Sequence, residues 1–248
     1  IPQVCPLIEK NRITGNTAFI GAGIACHTVG ARIVNNFISG NQAEMQGGAI
    51  YFKGSSDTTT VTEVTNNTIT SNSVTGQGGE AGSIYYFRIN NILLMNNIFY
   101  ENQAEAQDEI KIILGTIEIY NCDINPDEIY GTWTGEHNFY ADPQFIDEMA
   151  WDCWTQNASC SNSGIEQVFA FDHWFGAPSE DLNNNARPQD DTIDVGAVEV
   201  NMCYVGLPEV VSRQSSVVSY PNPFSSSTTF EYTIEEPGMV TLEVCNQV

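Results

Sequence analysis

Side-chain oxygens at alternate positions are the clearest candidate metal ligands in the sequence. Oxygen ligands spaced in this way can converge on one hard cation, so the pattern predicts a calcium site. The stretch departs from the helix-loop-helix calcium loop, because Ala186 stands where that loop needs glycine and Thr192 where it needs a bidentate glutamate. The alternative is a polar turn in which Arg187 pairs with a carboxylate. The candidate ligands are Asp181, Asn183, Asn185 and Asp190.

Asp172 and His173 precede Trp174, so a carboxylate and an imidazole stand beside an aromatic ring. Such a pair could perform acid–base chemistry. A single histidine in an aromatic loop is more often packed and hydrogen-bonded, and we interpret His173 in that way.

Glycan cleavage would need a different constellation. A glycosidase uses two carboxylates about 5–9 Å apart, and a polysaccharide lyase needs a basic residue near calcium. No two acids stand at matching positions with a supporting base, and the basic residues do not cluster in the sequence. We therefore predict no catalytic site in this stretch. The acids considered are Glu9, Glu44, Glu63, Glu101 and Glu105, and the bases are Lys10, Arg12, Arg32, Lys53, Arg88 and Lys111.

A repeated phrase must position all of these residues. It reads Ile-Val-Asn-Asn-Phe-Ile-Ser-Gly-Asn at residues 33–41, and related copies end at Asn16, Asn72 and Asn102. Each copy is followed by a glycine-containing phrase such as Gly-Gly-Ala-Ile, except that the fourth is degenerate. Repetition at this period indicates a solenoid, and it has to be interpreted before any single motif.

The phrase favours coils of parallel strand. Isoleucine and valine alternate over four or five residues before Asn, Gly or Ser interrupts, which is typical of short half-buried strands. Asparagine tolerates the left-handed backbone region, and equivalent asparagines in stacked coils can bond along a ladder. We predict an all-β chain with a right-handed parallel β-helix over residues 1–125, whose N-terminal part is missing. The insertion at 53–60 lengthens one coil. The aromatics at Tyr85 and Tyr86 either form a platform on which sugar rings stack or, as we prefer, pack within the coils.

Composition excludes several classes of partner. Eight Lys and Arg face 31 Asp and Glu, giving a net charge of −23. Nucleic acids and anionic membrane surfaces need a basic face, so neither is an expected partner, and no stretch is long and apolar enough to span a membrane. The seven cysteines contain no Cys-x-x-Cys pair, which disfavours zinc. Cys153 and Cys160 either close a disulfide or remain buried thiols.

Two phrases resemble the end of a known fold. Residues 138–147 read N-F-Y-A-D-P-Q-F-I-D, and residues 181–199 read D-L-N-N-N-A-R-P-Q-D-D-T-I-D-V-G-A-V-E. This pair is similar to the end of bacterial β-helix surface proteins with a pectate-lyase-like fold. The resemblance implies that residues 126–200 close and cap the β-helix. The sequence departs from that family at residues 176–179, where only Gly-Ala-Pro-Ser stands in place of a longer Gly-Ser-Pro-Ala-Ile-Asp phrase.

The C-terminal tail resembles a second family. After a linker at 201–216, residues 217–248 are similar to the sorting domain of proteins exported by type IX secretion, truncated before its later strands. Alternating strands at 229–234 and 240–244, joined by a Pro-Gly turn, begin a partial β-sandwich. The residues that carry the resemblance are Tyr220, Pro221, Asn222, Pro223, Phe224, Pro237 and Gly238.

The resemblances imply a destination more than a chemistry, because neither fold fixes a function. We expect the protein to pass through the type IX machinery and to be secreted or held at the outer-membrane surface of a Gram-negative bacterium. The preferred function is a non-catalytic adhesin or glycan-binding scaffold that binds polysaccharide, with calcium as a possible ion. The alternative is a polysaccharide lyase or glycoside hydrolase whose active site lies on missing N-terminal coils.

Overall fold

The computed structural model describes residues 6–27, 30–54, 61–88, 91–105, 109–147, 152–155, 159–189, 192–199, 218–220 and 229–231. Within these residues the regular elements are β-strands, apart from one 3₁₀-helix at Pro126–Glu128. The chain divides into two compact units, residues 1–201 and residues 202–248. Most of the predicted insertion (residues 55–60) and the predicted linker (201–216) lie outside the described residues.

Each copy of the repeated phrase forms one coil of short strands. The four coils contain β1 (Leu7–Glu9), β2 (Arg12–Thr14), β3 (Thr17–Ile20), β4 (Ile24–His27), β5 (Arg32–Val34), β6 (Phe37–Ser39), β7 (Gln42–Gln46), β8 (Ile50–Lys53), β9 (Val61–Thr65), β10 (Thr68–Thr70), β11 (Ser73–Val74), β12 (Ile84–Phe87), β13 (Asn91–Met95) and β14 (Ile98–Tyr100). The later strands of the first unit are β15 (Ile110–Tyr120), β16 (Ile129–Glu136), β17 (Phe145–Asp147), β18 (Asp152–Thr155), β19 (Gln167–Ala170) and β20 (His173–Gly176).

Equivalent strands of successive coils pair in parallel. The largest sheet has the order β1-β5-β9-β13-β15-β12-β8-β4, with β16 also paired to β15. Two further sheets have the orders β14-β10-β6-β2 and β11-β7-β3. The long strand β15 pairs with β12 along its first part and with β13 along its second, so it joins two stacks of strands. The predicted all-β fold with parallel strands is confirmed, and the arrangement is β-helix-like.

Two ladders of buried asparagine amides run through the coils. In one, the side-chain nitrogen of Asn36 donates to Oδ1 of Asn67 at 3.0 Å, and Asn67 donates to Asn97 at 3.0 Å. In the other, Asn41 donates to Asn72 at 2.9 Å. Each Oδ1 also accepts from the backbone N–H of the preceding rung, which satisfies groups whose burial would otherwise cost about 1–3 kcal/mol each. The predicted asparagine ladder is therefore confirmed, and the sequence holds a second one.

The residue before each rung turns the chain. Asn35, Asn66 and Asn96 have φ values of 53°, 52° and 56°, in the left-handed region that asparagine tolerates better than most residues. Glycine is required where the following strand begins, because a Cβ on Gly23 would lie 2.7 Å from the carbonyl oxygen of Ala49. The prediction that bulk would obstruct the glycine phrase is confirmed.

Alternate strand residues fill the interior of the coils. Tyr86 lies in this core with 1% of its surface exposed and stacks on Phe52 at 4.8 Å between ring centroids. Tyr85 faces the opposite side of its strand, is 6% exposed and stacks on Tyr51 at 5.6 Å. These aromatics therefore stack on the equivalent aromatics of the neighbouring coil, as we preferred, and do not form a sugar platform. The main core also includes Ile33, Ile38, Ile50, Val64, Ile69, Ile84, Ile92, Leu94, Phe99, Ile117 and Ile119.

The C-terminal part of the first unit lies along one row of turns. We call residues 159–189 and 192–199 the closing segment. The turn asparagines donate their side-chain N–H groups to its carbonyl oxygens: Asn35 to Glu180 at 2.6 Å and Asn66 to Asp194 at 3.2 Å. Asn121 likewise donates to Ser163 at 2.9 Å. One asparagine of each Asn-Asn pair thus bonds along the ladder, while the other binds the closing segment.

Two strands are described in the second unit. β21 (Val218–Tyr220) and β22 (Thr229–Glu231) pair antiparallel, with Ser219 opposite Phe230. The strand predicted at 229–234 is therefore present over its first three residues. The Pro-Gly turn, the strand at 240–244 and residues 221–224 lie outside the described residues, so the sorting domain stays a prediction.

Candidate functional site

Asp181 is the centre of the loop in which we predicted calcium. Its carboxylate is buried, and its Oδ1 accepts from the backbone N–H groups of Asn183 and Asn185 at 2.8 Å each. Its Oδ2 accepts from the side chain of Asn185 at 3.1 Å and from the backbone of Glu199 at 3.0 Å. Four N–H donors therefore occupy the oxygens that a cation would need, and the carboxylate organises the loop.

Arg187 forms the pairing that the polar-turn alternative required. Its guanidinium contacts Glu199 at 3.1 Å, with both side chains almost fully buried, and donates to the backbone carbonyls of Asp194 and Gly196. Burial lowers the pKa of Arg187 and raises the pKa of Glu199, and the guanidinium partly offsets the latter. Asp190 lies outside the described residues. In the described part of the chain, no three His, Cys, Asp or Glu side chains gather as a metal site, and the calcium site stays a prediction.

A polar groove of about 240 Å³ lies between the first coils and the closing segment. Lys10 bonds Glu180 at 2.6 Å, and Arg32 bonds Glu63 at 2.7 Å. Strand register places Arg32 on the coil next to Lys10, and both side chains line the groove, each paired with its own acid. The groove is lined by Leu7, Glu9, Lys10, Arg32, Val34, Gly176, Ala177, Pro178, Ser179 and Glu180.

Two carboxylates, those of Glu9 and Glu180, line the groove, and Glu180 is paired with Lys10. A glycosidase general acid needs a raised pKa. Burial raises the pKa of Glu109 to about 8 and that of Asp123 to about 6, but both are fully enclosed and neither lines the groove. Of the outward acids considered from the sequence, Glu63 is buried against Arg32, whereas the others are exposed on separate elements: Glu9, Glu44, Glu101 and Glu105.

Asp123 also accepts a hydrogen bond from the buried thiol of Cys160, at 3.3 Å between sulfur and oxygen. The side chain of Cys153 lies outside the described residues, so the possible disulfide between these cysteines is untested.

A hairpin of β19 and β20 covers the outer face of the largest sheet. Val168 and Ala170 are buried and pack with Leu93 and Met95. A two-residue turn joins the strands, and Phe171 and Asp172 there have φ values of 48° and 63°, the conformation of the common tight hairpin turn. One face of the hairpin is thus fixed to the coils.

The other face of the hairpin carries an exposed aromatic pair. Phe169 and Trp174 lie directly opposite each other, are 53% and 67% exposed, and have ring centroids 5.3 Å apart with planes inclined at 60°. His173 is also exposed, so our interpretation of it as a packed residue is wrong. The tight turn places His173 at the start of β20, opposite Ala170. The alternation from Gln167 to Ala170 is the sequence signal that could have revealed this hairpin.

The fold and this surface define a class: a β-helix-like stack of parallel coils that presents an exposed aromatic hairpin beside a polar groove. Comparison of the chain with known protein families, curated proteins and solved structures finds no match. Across the described ranges, none of the helical structure is long and apolar enough to cross a membrane.

Proposed function

We propose that this protein is a secreted or cell-surface glycan-binding scaffold, or adhesin, that does not cleave its ligand. The single observation that carries the proposal is the exposed pair of Phe169 and Trp174 on a hairpin fixed to the coils. Aromatic rings bury large apolar areas with little loss of side-chain freedom, and a sugar ring offers a C–H face that stacks on them. A rigid base favours binding because little ordering is needed on association.

The finer description of the fold belongs to the same proposal. We interpret the coils as a right-handed parallel β-helix of the pectate-lyase-like kind, residues 126–200 as its closing region, and residues 217–248 as a type IX sorting domain. The support is the pair of closing phrases and the motif from Tyr220 to Phe224 in the sequence. Export by the type IX machinery would place the protein outside a Gram-negative cell.

Binding and cleavage are separated by one experiment. The purified protein is run by affinity electrophoresis through gels containing neutral or uronate-rich polysaccharides, with calcium and with chelator. New reducing ends and unsaturated uronide absorbance are measured in parallel. Retardation without product is the expected result, and Trp174→Ala should weaken it at least tenfold. Absence of retardation on every polysaccharide would overturn the proposal.

The export proposal has its own test. In a bacterium with a type IX system, the protein that lacks residues 217–248 should no longer reach the cell surface, as measured by surface labelling. Unchanged surface delivery would contradict the assignment of the tail.

The second candidate function is glycan cleavage, as a lyase or a glycoside hydrolase. The observation that favours it is the presence of two carboxylates, Glu9 and Glu180, in the lining of one groove. Glu180 is already paired with Lys10 at 2.6 Å. Glu9 would then have to serve as the acid. Cleavage product that is formed by wild type and disappears in Glu9→Gln would establish this alternative. Calcium-dependent cleavage product that persists in Glu9→Gln would indicate an active site on further coils.

A further inference from the structure

The outer face of the hairpin extends beyond its aromatic pair. Residues two apart on a strand share a face. Gly176 therefore lies on the same face as Trp174 on β20, and Gln167 lies on the same face as Phe169 on β19. Gln167 and Gly176 lie directly opposite each other, and both are exposed. The face therefore consists of two rings followed by an amide and a position without a side chain.

Gly176 leaves an open shelf beside Trp174. A Cβ built at this position would meet only the carbonyl oxygen of Glu166, at 3.8 Å, which is an ordinary van der Waals distance. The backbone there is not in the left-handed region, so neither strain nor crowding requires glycine. Two strand residues span about 7 Å, which leaves room along the strand for one further sugar ring.

The shelf leads into the polar groove, since Gly176 and the residues after it form one wall of that groove. Its two cations are neutralised in place, Lys10 by Glu180 and Arg32 by Glu63. Exposed acids flank the hairpin at Glu166 and Asp172, and the whole chain carries a net charge of −23. This surface repels uronate or sulfate groups and offers polar partners for hydroxyl groups.

Given the glycan-binding function proposed above, we propose that the ligand is an uncharged linear glycan. One ring stacks on Trp174, and the next crosses Gly176 toward the groove, where the amide of Gln167 bonds its hydroxyl groups. The two aromatic planes are inclined at 60°, so a flat ring stacks on one of them at a time. Trp174 is the more exposed and takes the ligand, and Phe169 supports it from the side.

The test uses calorimetric titration of the full chain with neutral hexasaccharides of glucose, xylose and mannose, and with hexagalacturonate. Wild type should bind at least one neutral ligand and bind hexagalacturonate at least tenfold more weakly. Trp174→Ala should weaken neutral binding at least tenfold, and Gln167→Ala about threefold. Gly176→Val should also weaken it at least tenfold while leaving the thermal unfolding midpoint unchanged or higher, because valine favours strands. Tyr140→Ala, which removes another exposed aromatic, is the control and should bind as wild type does.

The outcomes separate the two proposals. Tighter binding of hexagalacturonate, itself sensitive to Trp174→Ala, would overturn the uncharged ligand but keep the glycan-binding function. Neutral binding that is unaffected by Gly176→Val would overturn the path across the shelf. Binding of no glycan by wild type, in titration and in affinity gels, would overturn both.

Discussion

Glu109 gives the sharpest prediction about stability. It lies at the end of the second asparagine ladder, is 4% exposed, and accepts from the side-chain nitrogen of Asn102 at 3.0 Å. Burial raises its pKa from 4.5 to about 8, and hydrogen bonds from Asn102 and Ser83 oppose the rise only in part. The folded protein therefore keeps this group protonated at neutral pH, whereas the unfolded chain ionises it.

The sign and size of the pH dependence follow from the linkage between protonation and folding. Because the folded-state pKa is raised, the contribution to stability is complete below pH 4.5, decreases as pH rises, and is lost above pH 8. Each unit of pKa difference corresponds to 1.36 kcal/mol, so the free energy of unfolding should fall by about 3.5 kcal/mol between pH 5 and pH 8 from this group alone. Glu199, whose pKa is raised to about 7, should add a fall of about 2.5 kcal/mol over the same range, and Asp123, whose pKa is raised to about 6, should add about 1.4 kcal/mol in its lower part.

The assay is urea unfolding at pH 5, 6.5 and 8 for wild type, Glu109→Gln and Glu44→Gln. Glutamine is neutral at every pH and can still accept from Asn102, so Glu109→Gln should lose the part of the fall that Glu109 contributes and be more stable than wild type at pH 8. Glu44 is exposed, and its variant is the matched control that should follow wild type. If Glu109→Gln and wild type lose stability in parallel, Glu109 is ionised in the folded protein and the reasoning is refuted.

The remaining predictions concern the asparagines and the buried ion pair. Asn67→Ala should lower the free energy of unfolding, measured with urea, by about 2–3 kcal/mol because it leaves buried N–H groups without an acceptor. The same change at Asn11, which is exposed, should cost less than half of that. Arg187→Leu should cost about 3–5 kcal/mol because the carboxyl group of Glu199 is left buried without its partner, and adding Glu199→Gln should recover part of the loss; additive effects would contradict the pairing. Asn96→Gly keeps the left-handed turn but removes the hydrogen bonds to the closing segment, so it should speed hydrogen exchange in the hairpin. Unchanged exchange would show that Asn96 does not hold the hairpin in place.

The coils could be predicted from the sequence because their information is periodic. Steps of 25, 31 and 30 residues between the closing asparagines are the same separations that the ladder bonds span. A parallel stack converts each such step into one contact, so recurrence alone fixes which residues meet. The ladder of Asn36, Asn67 and Asn97 was available in the same phrase, but the sequence does not say which of two adjacent asparagines points inward.

The closing segment could not be predicted in the same way. Its contacts join residues such as Asn66 and Asp194, which are 128 positions apart and belong to no repeat. The loop from Asp181 was interpretable only as two alternatives, because side-chain oxygens at this spacing suit a cation and backbone N–H donors equally well. The groove depends on the same long-range packing, since Lys10 meets Glu180 only after the segment returns to the first coil.

The Asn-Asn pairs explain how the aromatic hairpin is held in place. Asn96 is the outer member of its pair, and its side chain accepts from the backbone N–H of Ile165 at 2.9 Å and donates to the Ile165 carbonyl at 2.8 Å. This two-point contact reproduces the pairing of neighbouring strands, and β19 begins two residues later at Gln167. The inner member, Asn97, is fixed by the ladder beneath it. The base of the hairpin is therefore anchored to the coil through one dipeptide, and the same sequence phrase that builds the coils positions Trp174.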